Sequence, residues 1–377
     1  MIYLDHAATT PCRPEAAAAM LPYLTEHFGN PSSVHVFGQE TRKALDSARD
    51  RVAARLNVRS EEILFTSGGT EADNMVLTGC FLQQRSKKRH LITAATEHHA
   101  VLHTARWLEK WGAEVTVLPV DGEGRVNPED VRRALRPDTF LVSLMAANNE
   151  IGTLAPLAEI GRVCREAGVP FHTDAVQWVG ALPLDIAALP VEFLVLTAHK
   201  FYGPKGTGVL YVRRGCRFQP LLHGGGQERG RRPGTENVAG AVGLATALEL
   251  AAQELPETRA RITTLRDRLI DTVLDRIPNA FLNGPRRERL PNNAHFSFPG
   301  VDSDLLVLTM DLEGIACSSG SACTAGAIEP SHVVQALGQS PERAASALRL
   351  SLGRTTTEED VQSAAAALER VVARLRG

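Results

Sequence analysis

The sequence predicts an α/β protein: a mostly parallel sheet with helices on both faces, and a smaller α+β domain beside it. Three observations carry this prediction. At 377 residues the chain exceeds the usual size of one domain. Apolar, β-branched runs recur between residues 63 and 212, with helical patterns between most of them, the signature of βαβ units. Beyond Gly234 that alternation gives way to one long helical stretch and then to shorter elements.

Taken in order, Tyr3-Leu4-Asp5-His6-Ala7-Ala8-Thr9-Thr10-Pro11 reads as an extended piece running into an Ala-rich helix from about Pro14. Residues 28–35 form a loop dense in turn formers, and Ser32, Ser33 and His35 read most simply as caps of the helical stretch 38–56. Residues 63–66, 91–95, 115–120, 139–146, 170–174, 193–197 and 208–212 read as strands, with helical patterns near 98–111, 128–135 and 156–167. Residues 238–277 are helical. Residues 295–298, 303–313, 332–337 and the amphipathic stretch 357–375 complete the smaller domain. The expected division is 14–255 for the large domain, and 1–13 plus 256–377 for the small one.

In parallel sheets ligands bind beyond the carboxyl ends of the strands, and the chemistry-bearing residues of this chain fall there. Ser67-Gly68-Gly69-Thr70 joins a strand to a helix N-terminus, a place for a phosphate or an ordinary helix start. A histidine of the pair His98-His99, after the next strand, can stack on a planar ring, or both simply open a helix. An amide of Asn148-Asn149 can donate to a phenolate or a carboxylate. Asp174 closes a buried strand and needs a cation there, either a protonated pyridine nitrogen or an arginine. Lys200 stands where a buried strand meets a Gly/Pro-rich turn. A desolvated amine there can form a Schiff base with a carbonyl, while the plainer reading is a lysine snorkelling to water. Each signal is weak alone, but together they supply what pyridoxal phosphate needs. No G-x-G-x-x-G opens a helix after an early strand, which disfavours a dinucleotide dehydrogenase.

Composition narrows the field. The net charge is −2 and no extended Lys/Arg block stands out, which argues against direct nucleic-acid binding. The start lacks a basic and an apolar leader region, and no apolar run is long enough to span a bilayer, so a cytoplasmic protein is expected. Cysteines at 12, 80, 164, 216, 317 and 323 show no C-x-x-C pair or zinc spacing and read as reduced thiols. Cys323 lies in Ser318-Ser319-Gly320-Ser321-Ala322-Cys323-Thr324-Ala325-Gly326, a run with little to bury. An exposed cysteine there is a plausible nucleophile, although free cysteines are more often packing residues.

The motifs YLDHAATT, GNPSSVH, FTSGGTEADN, TEHHAV, NNEIGT, HTDAVQ, TAHKFYGPKGTG, GGGQERGRRPGTEN and SSGSACTAG, in this order, closely resemble cysteine desulfurases of the nitrogen-fixation and iron-sulfur-cluster-assembly type, within the class V aminotransferases. The resemblance implies a fold-type I pyridoxal-phosphate enzyme with a mixed, mostly parallel sheet, working as a homodimer. It places the Schiff base on Lys200, the ring stack on His98, which is also a candidate acid/base, and the pyridinium partner on Asp174. Gln177 matches the residue facing the ring phenolate. Gly69, Thr70, Thr197 and His199 match the phosphate cup, with Thr235 entering from the other subunit; Thr197 stands where many relatives have Ser. Asn149 and Arg349 match the holders of the substrate carboxylate. Cys323, on the loop 315–330, matches the residue that accepts sulfur from L-cysteine as a persulfide. The product is L-alanine, and the sulfur passes to an iron-sulfur scaffold or another acceptor protein. Cys317 has no matching role and reads as structural. The chain stops directly after its last helix, without the longer tail that some members use for docking a scaffold. A selenocysteine lyase or another class V aminotransferase is the alternative the resemblance leaves open.

Overall fold

A computed structural model describes residues 1–319 and 330–377. Its centre is a seven-stranded sheet in the spatial order Ile63–Thr66, Gly208–Val212, Phe193–Thr197, Phe171–Asp174, Thr139–Ser143, His90–Ala94, Glu114–Leu118. Gly208–Val212 runs antiparallel to both of its neighbours, and every other pairing is parallel. Six of the strands are buried along their whole length, which is why most of them read as apolar runs and not as alternation; Phe171–Asp174 is the exception, with three polar residues. Glu114–Leu118 lies at the sheet edge and is largely open to solvent. The strand expected over 139–146 stops as regular structure at Ser143. The amides of Leu144 and Ala146 nevertheless continue the ladder onto the carbonyls of His172 and Asp174, at 3.1 and 2.8 Å.

A second, three-stranded antiparallel sheet is built from Phe281–Leu282, Asn293–Ser297 and Ala347–Ser351. Ile2–Tyr3 pairs in parallel with Ile315–Ala316, so the first residues of the chain join the last hundred. These two-residue strands and the five-residue helix Pro341–Ala345 are too short to show a period in the sequence.

The apolar core gathers mainly around the large sheet and around the small one. Helix Val238–Arg276 serves both: Val238, Leu244 and Leu248 pack in the first, Ile262, Leu269 and Val273 in the second. Over 18 residues this helix is apolar enough by composition to cross a bilayer, contrary to the expectation above. More than half of that stretch is buried inside the protein, because it packs in the core around the large sheet. The closing helix Glu358–Leu375 begins at a capping box, Thr357 with Asp360, and buries Val361, Ala364, Leu368, Val371 and Val372 at helical spacing.

One buried ion pair holds the loop 227–230 to the large sheet. Arg49 makes two hydrogen bonds to Glu228, at 2.6 and 2.8 Å, and a third to the carbonyl of Ile63 at 2.8 Å. The amide of Phe65 donates to the same carboxylate at 3.1 Å. Glu228 and Arg229 are held in the left-handed region, φ 46° and 59°, which non-glycine residues adopt only under such constraint. Removing one partner leaves a buried charge uncompensated. Arg49→Leu should therefore destabilise the fold by about 3–5 kcal/mol. Adding Glu228→Gln should recover a large part of that loss in urea denaturation. A single variant no weaker than a surface substitution would show that the pair contributes little.

Candidate active site

At the carboxyl ends of the large sheet lies a cavity of about 400 Å³, walled by Gly69, Thr70, His98, Asn149, Asp174, Gln177, Thr197, His199, Lys200 and Arg349. Residues predicted from six separate stretches of sequence thus converge on one space, joined by Ala7, Ala8, Asp73, Met145, Ala147 and Val176. Thr235 does not line it; in the single chain this residue is exposed. Cys323 lies outside the described residues.

The anion end is made by backbone. Helix Gly69–Gln84 starts at Gly68 with no side chain capping it, so the first-turn amides at the positive end of the dipole are left for another acceptor. The turn needs glycine: Gly68 has φ +158°, and a Cβ on Gly208 would come within 2.8 Å of the Gly68 Cα. Thr197 donates its hydroxyl to the Thr207 carbonyl at 3.1 Å, and His199 Nδ1 lies 3.1 Å from the Thr9 hydroxyl. Burial, with Lys200 and Lys205 adding to it, pushes the His199 pKa down to about 4, so the ring is neutral.

Asp174 sits at the end of its strand, 7% exposed, with the Val176 amide donating to Oδ1 at 2.9 Å. Burial raises its pKa to about 6, against the pull of that amide and of Lys200. Such a carboxylate favours a cation in the cavity. His98 opens a helix, one of the two roles the sequence left open, and is also placed at the cavity. It is the N-cap of helix His99–Glu109, accepting from the Ala100 amide at 3.1 Å, and its ring also borders the cavity. Burial first, then Lys200, His332 and His103, push its pKa down to about 4. A neutral, oriented imidazole is suited to stacking on a planar ring. An anion, a protonated ring nitrogen and a flat ring would each meet a complementary group here, which is the donor set that pyridoxal phosphate requires.

Four contacts come from the N-terminal segment, and sequence reading missed all of them. Lys200 Nζ donates to the carbonyls of Ala7 and Ala8 at 2.6 and 2.8 Å, and Gln177 Nε2 donates to Ala7 at 2.9 Å. Arg349 is 3% exposed; one guanidinium nitrogen donates to Asp5 Oδ1 at 2.8 Å and another to the Asn149 carbonyl at 2.9 Å. Backbone carbonyls leave no signature in a sequence, whereas the Asp5 carboxylate within YLDHAATT was visible but had no evident partner. His35 proves to be the helix cap that its position suggested, with Nδ1 accepting from the Gly38 amide at 3.4 Å. The Cys317 thiol is pushed up to about 12 by burial, with Asp5 and Asp311 reinforcing it, which is the state of an inert packing cysteine.

Comparison with known proteins places the chain in a family. The family pattern of the class-V aminotransferases matches residues 2–363. "Cysteine desulfurase IscS" of Dictyoglomus turgidum is 50% identical over 375 residues, covering all of this chain and 95% of the relative. The protein of the same name from Methanosarcina thermophila is 49% identical, covering all of this chain and 93% of the relative. Among solved structures, a "NifS-like protein" superposes with a TM-score of 0.93 at 37% identity over 99% of both chains. A NifS-like protein from Rickettsia africae gives 0.87 at 30% identity over 98% of this chain and 99% of its own. The chain belongs to the class V aminotransferase family of pyridoxal-phosphate enzymes, in the group of the cysteine desulfurases.

Proposed function

We propose that this chain converts L-cysteine to L-alanine and passes the sulfur, as a persulfide on Cys323, to an iron-sulfur scaffold or another acceptor protein. The observation that carries this reading is the convergence of an uncapped helix N-terminus, a buried Asp174 and the Lys200 amine on one cavity. Gly69, Thr70, Thr197 and His199 would hold the cofactor phosphate, Asp174 the ring nitrogen, Gln177 the phenolate side and His98 the ring face. When bound, pyridoxal phosphate withdraws electrons from the substrate α-carbon.

The protein's own groups do the rest. Arg349 and Asn149 receive the substrate carboxylate. Arg349 is already aimed by Asp5 and the Asn149 carbonyl, so little side-chain entropy is lost on binding. Lys200 moves the proton at the α-carbon, within reach of the Ala7 and Ala8 carbonyls that orient its amine. The Cys323 thiolate attacks the substrate sulfur. A sulfur–sulfur bond forms, the carbon–sulfur bond breaks, and its electron pair and a proton end on the carbon of alanine, so that one thiol and L-cysteine become one persulfide and L-alanine. His98 is placed to serve protonation steps.

A second copy of the chain belongs to this reading. Phe28 and Phe37 stack at 5.6 Å on the surface, and with Leu24, Val34 and Val36 they expose a patch in which Val34 is 88% and Phe28 69% accessible. Arg42, on the helix that carries Val36 and Phe37, donates to Glu236 at 3.0 Å, which ties the segment of the exposed Thr235 to that helix. A twofold partner covering the patch would be the second subunit whose Thr235 the resemblance assigns to the phosphate cup.

Incubated with L-cysteine and a reducing thiol, the protein should form alanine and sulfide in equal amounts. Cys323→Ala should keep the visible cofactor absorbance and lose at least about 100-fold in both products. A variant as active as the parent would overturn the persulfide route and favour another class V reaction. Val34→Asp combined with Phe37→Asp should sediment as a monomer and retain pyridoxal phosphate more weakly after gel filtration. A monomeric parent protein would refute the dimer.

A further inference from the structure

Around the Asp174 end of the cavity lie three buried carboxyl groups and a histidine. Asp73 and Glu97 are each 1% exposed, Asp174 is 7% exposed, and His172 is fully buried. They come from separate elements: Asp73 from the first turns of helix Gly69–Gln84, Glu97 from the turn after strand His90–Ala94, and His172 with Asp174 from one strand. Among the described residues no lysine or arginine pairs with Asp73 or Glu97. Lys200 acts on Asp174 alone of the three, and His98 borders the same cavity. Burial pushes both Asp73 and Glu97 well up from the ordinary carboxylate range, and Asp174 pushes each of them further.

One contact in this cluster is incomplete as it stands. Asp73 Oδ1 lies 3.4 Å from His172 Nε2, short of a formed hydrogen bond, and neither atom has a hydrogen-bond partner elsewhere. On its other side His172 Nδ1 is 2.8 Å from the Ser143 hydroxyl. A neutral imidazole carries one ring proton, so two arrangements complete the pair. In one, Nε2–H donates to an Asp73 carboxylate. In the other, the Asp73 carboxylic acid donates to a bare Nε2, while Nδ1–H donates to Ser143. The first sets a second anion beside Asp174 with no cation to balance it, in surroundings where like charges repel strongly. The second leaves no buried charge on the pair and no unmet donor.

We infer that Asp73 is held as the neutral acid, donating its proton to His172, and is a positioning residue that leaves Asp174 as the one anion facing the cofactor ring. Burial and the Asp174 charge push Glu97 up from the carboxylate range as well, with Oε1 accepting from the Met145 amide at 2.8 Å. The consequence for the ring nitrogen rests on the cofactor reading above; the protonation of Asp73 does not. A charged Asp73 would compete with Asp174 for the single positive charge that the ring supplies. A neutral one concentrates the attraction on the ring nitrogen.

The test is infrared and visible spectroscopy of the holoenzyme, comparing the parent with Asp73→Asn near neutral pH. The parent should carry a protonated-carboxyl C=O stretch that Asp73→Asn lacks. The midpoint of the pH-dependent visible absorbance should move by less than about 0.3 unit, because asparagine replaces one neutral hydrogen-bonding group with another. A midpoint lowered by about one unit or more, with no carboxyl band lost, would mean that Asp73 is an anion and would overturn the inference. If Asp73→Asn does not fold, His172→Leu serves instead. Removing the acceptor should shift the carboxyl band to higher frequency, and an unmoved band would overturn the pairing. A parent protein with no visible cofactor band would refute the cofactor reading, while the infrared comparison would still decide the state of Asp73.

Discussion

The molecule depends on one extended segment, residues 5–10, in which main-chain groups do most of the binding. Asp5 holds Arg349; the Ala7 and Ala8 carbonyls hold Lys200 and Gln177; the Thr10 amide and hydroxyl both donate to the His199 carbonyl at 2.9 Å. On the other side the Ala7 amide donates to the Ser351 hydroxyl at 2.9 Å and the Ser351 amide to the Leu4 carbonyl at 2.7 Å. The segment therefore links the small sheet to the chemistry-bearing loop of the large one. Each such bond contributes about 0.5–1.5 kcal/mol net, but leaving a buried donor unmet costs more, so the set is lost or kept together. That cooperativity registers Arg349 and Lys200, which lie 149 positions apart in the chain, against one another across a single cavity.

Charge in that cavity is strictly apportioned. Three carboxyl groups are buried near the ring position, and the one with Lys200 acting on it and an amide at 2.9 Å is Asp174. The histidines bordering the site, His98 and His199, are both neutral because burial and the neighbouring lysine disfavour imidazolium. The anion end, by contrast, needs no charged side chain from the helix itself. The uncapped turn after Gly68 offers oriented amides that cost no reorganisation when a phosphate arrives.

Much of this was legible in the sequence. Most of the buried strands appear as apolar runs because a parallel sheet covered on both faces has no polar side to show, and chemistry at the strand ends follows from the same topology. Motif order identified the candidates from Gly69 to Arg349, and the cavity contains every one of them except Thr235, which is exposed, and Cys323, which lies outside the described residues. The composition of 238–277 showed a helix, but only the packing shows that its apolar part is covered by protein. The hydrogen bonds of Ala7 and Ala8 were invisible because any residue supplies a carbonyl. Asp73 sat in plain view within TEADN, yet its nearness to His172 arises from folding across 99 positions.

By itself, then, the sequence determined the kind of protein, because periodicity, turn residues and side-chain chemistry are local properties that a chain carries wherever it goes. The tertiary structure decided which of those groups are charged and which are aimed. Burial and neighbours set the protonation of Asp73, Glu97, Asp174, His98 and His199, and backbone contacts from a distant segment set the direction of Lys200 and Arg349. Both depend on distances through space, which residue order does not encode directly.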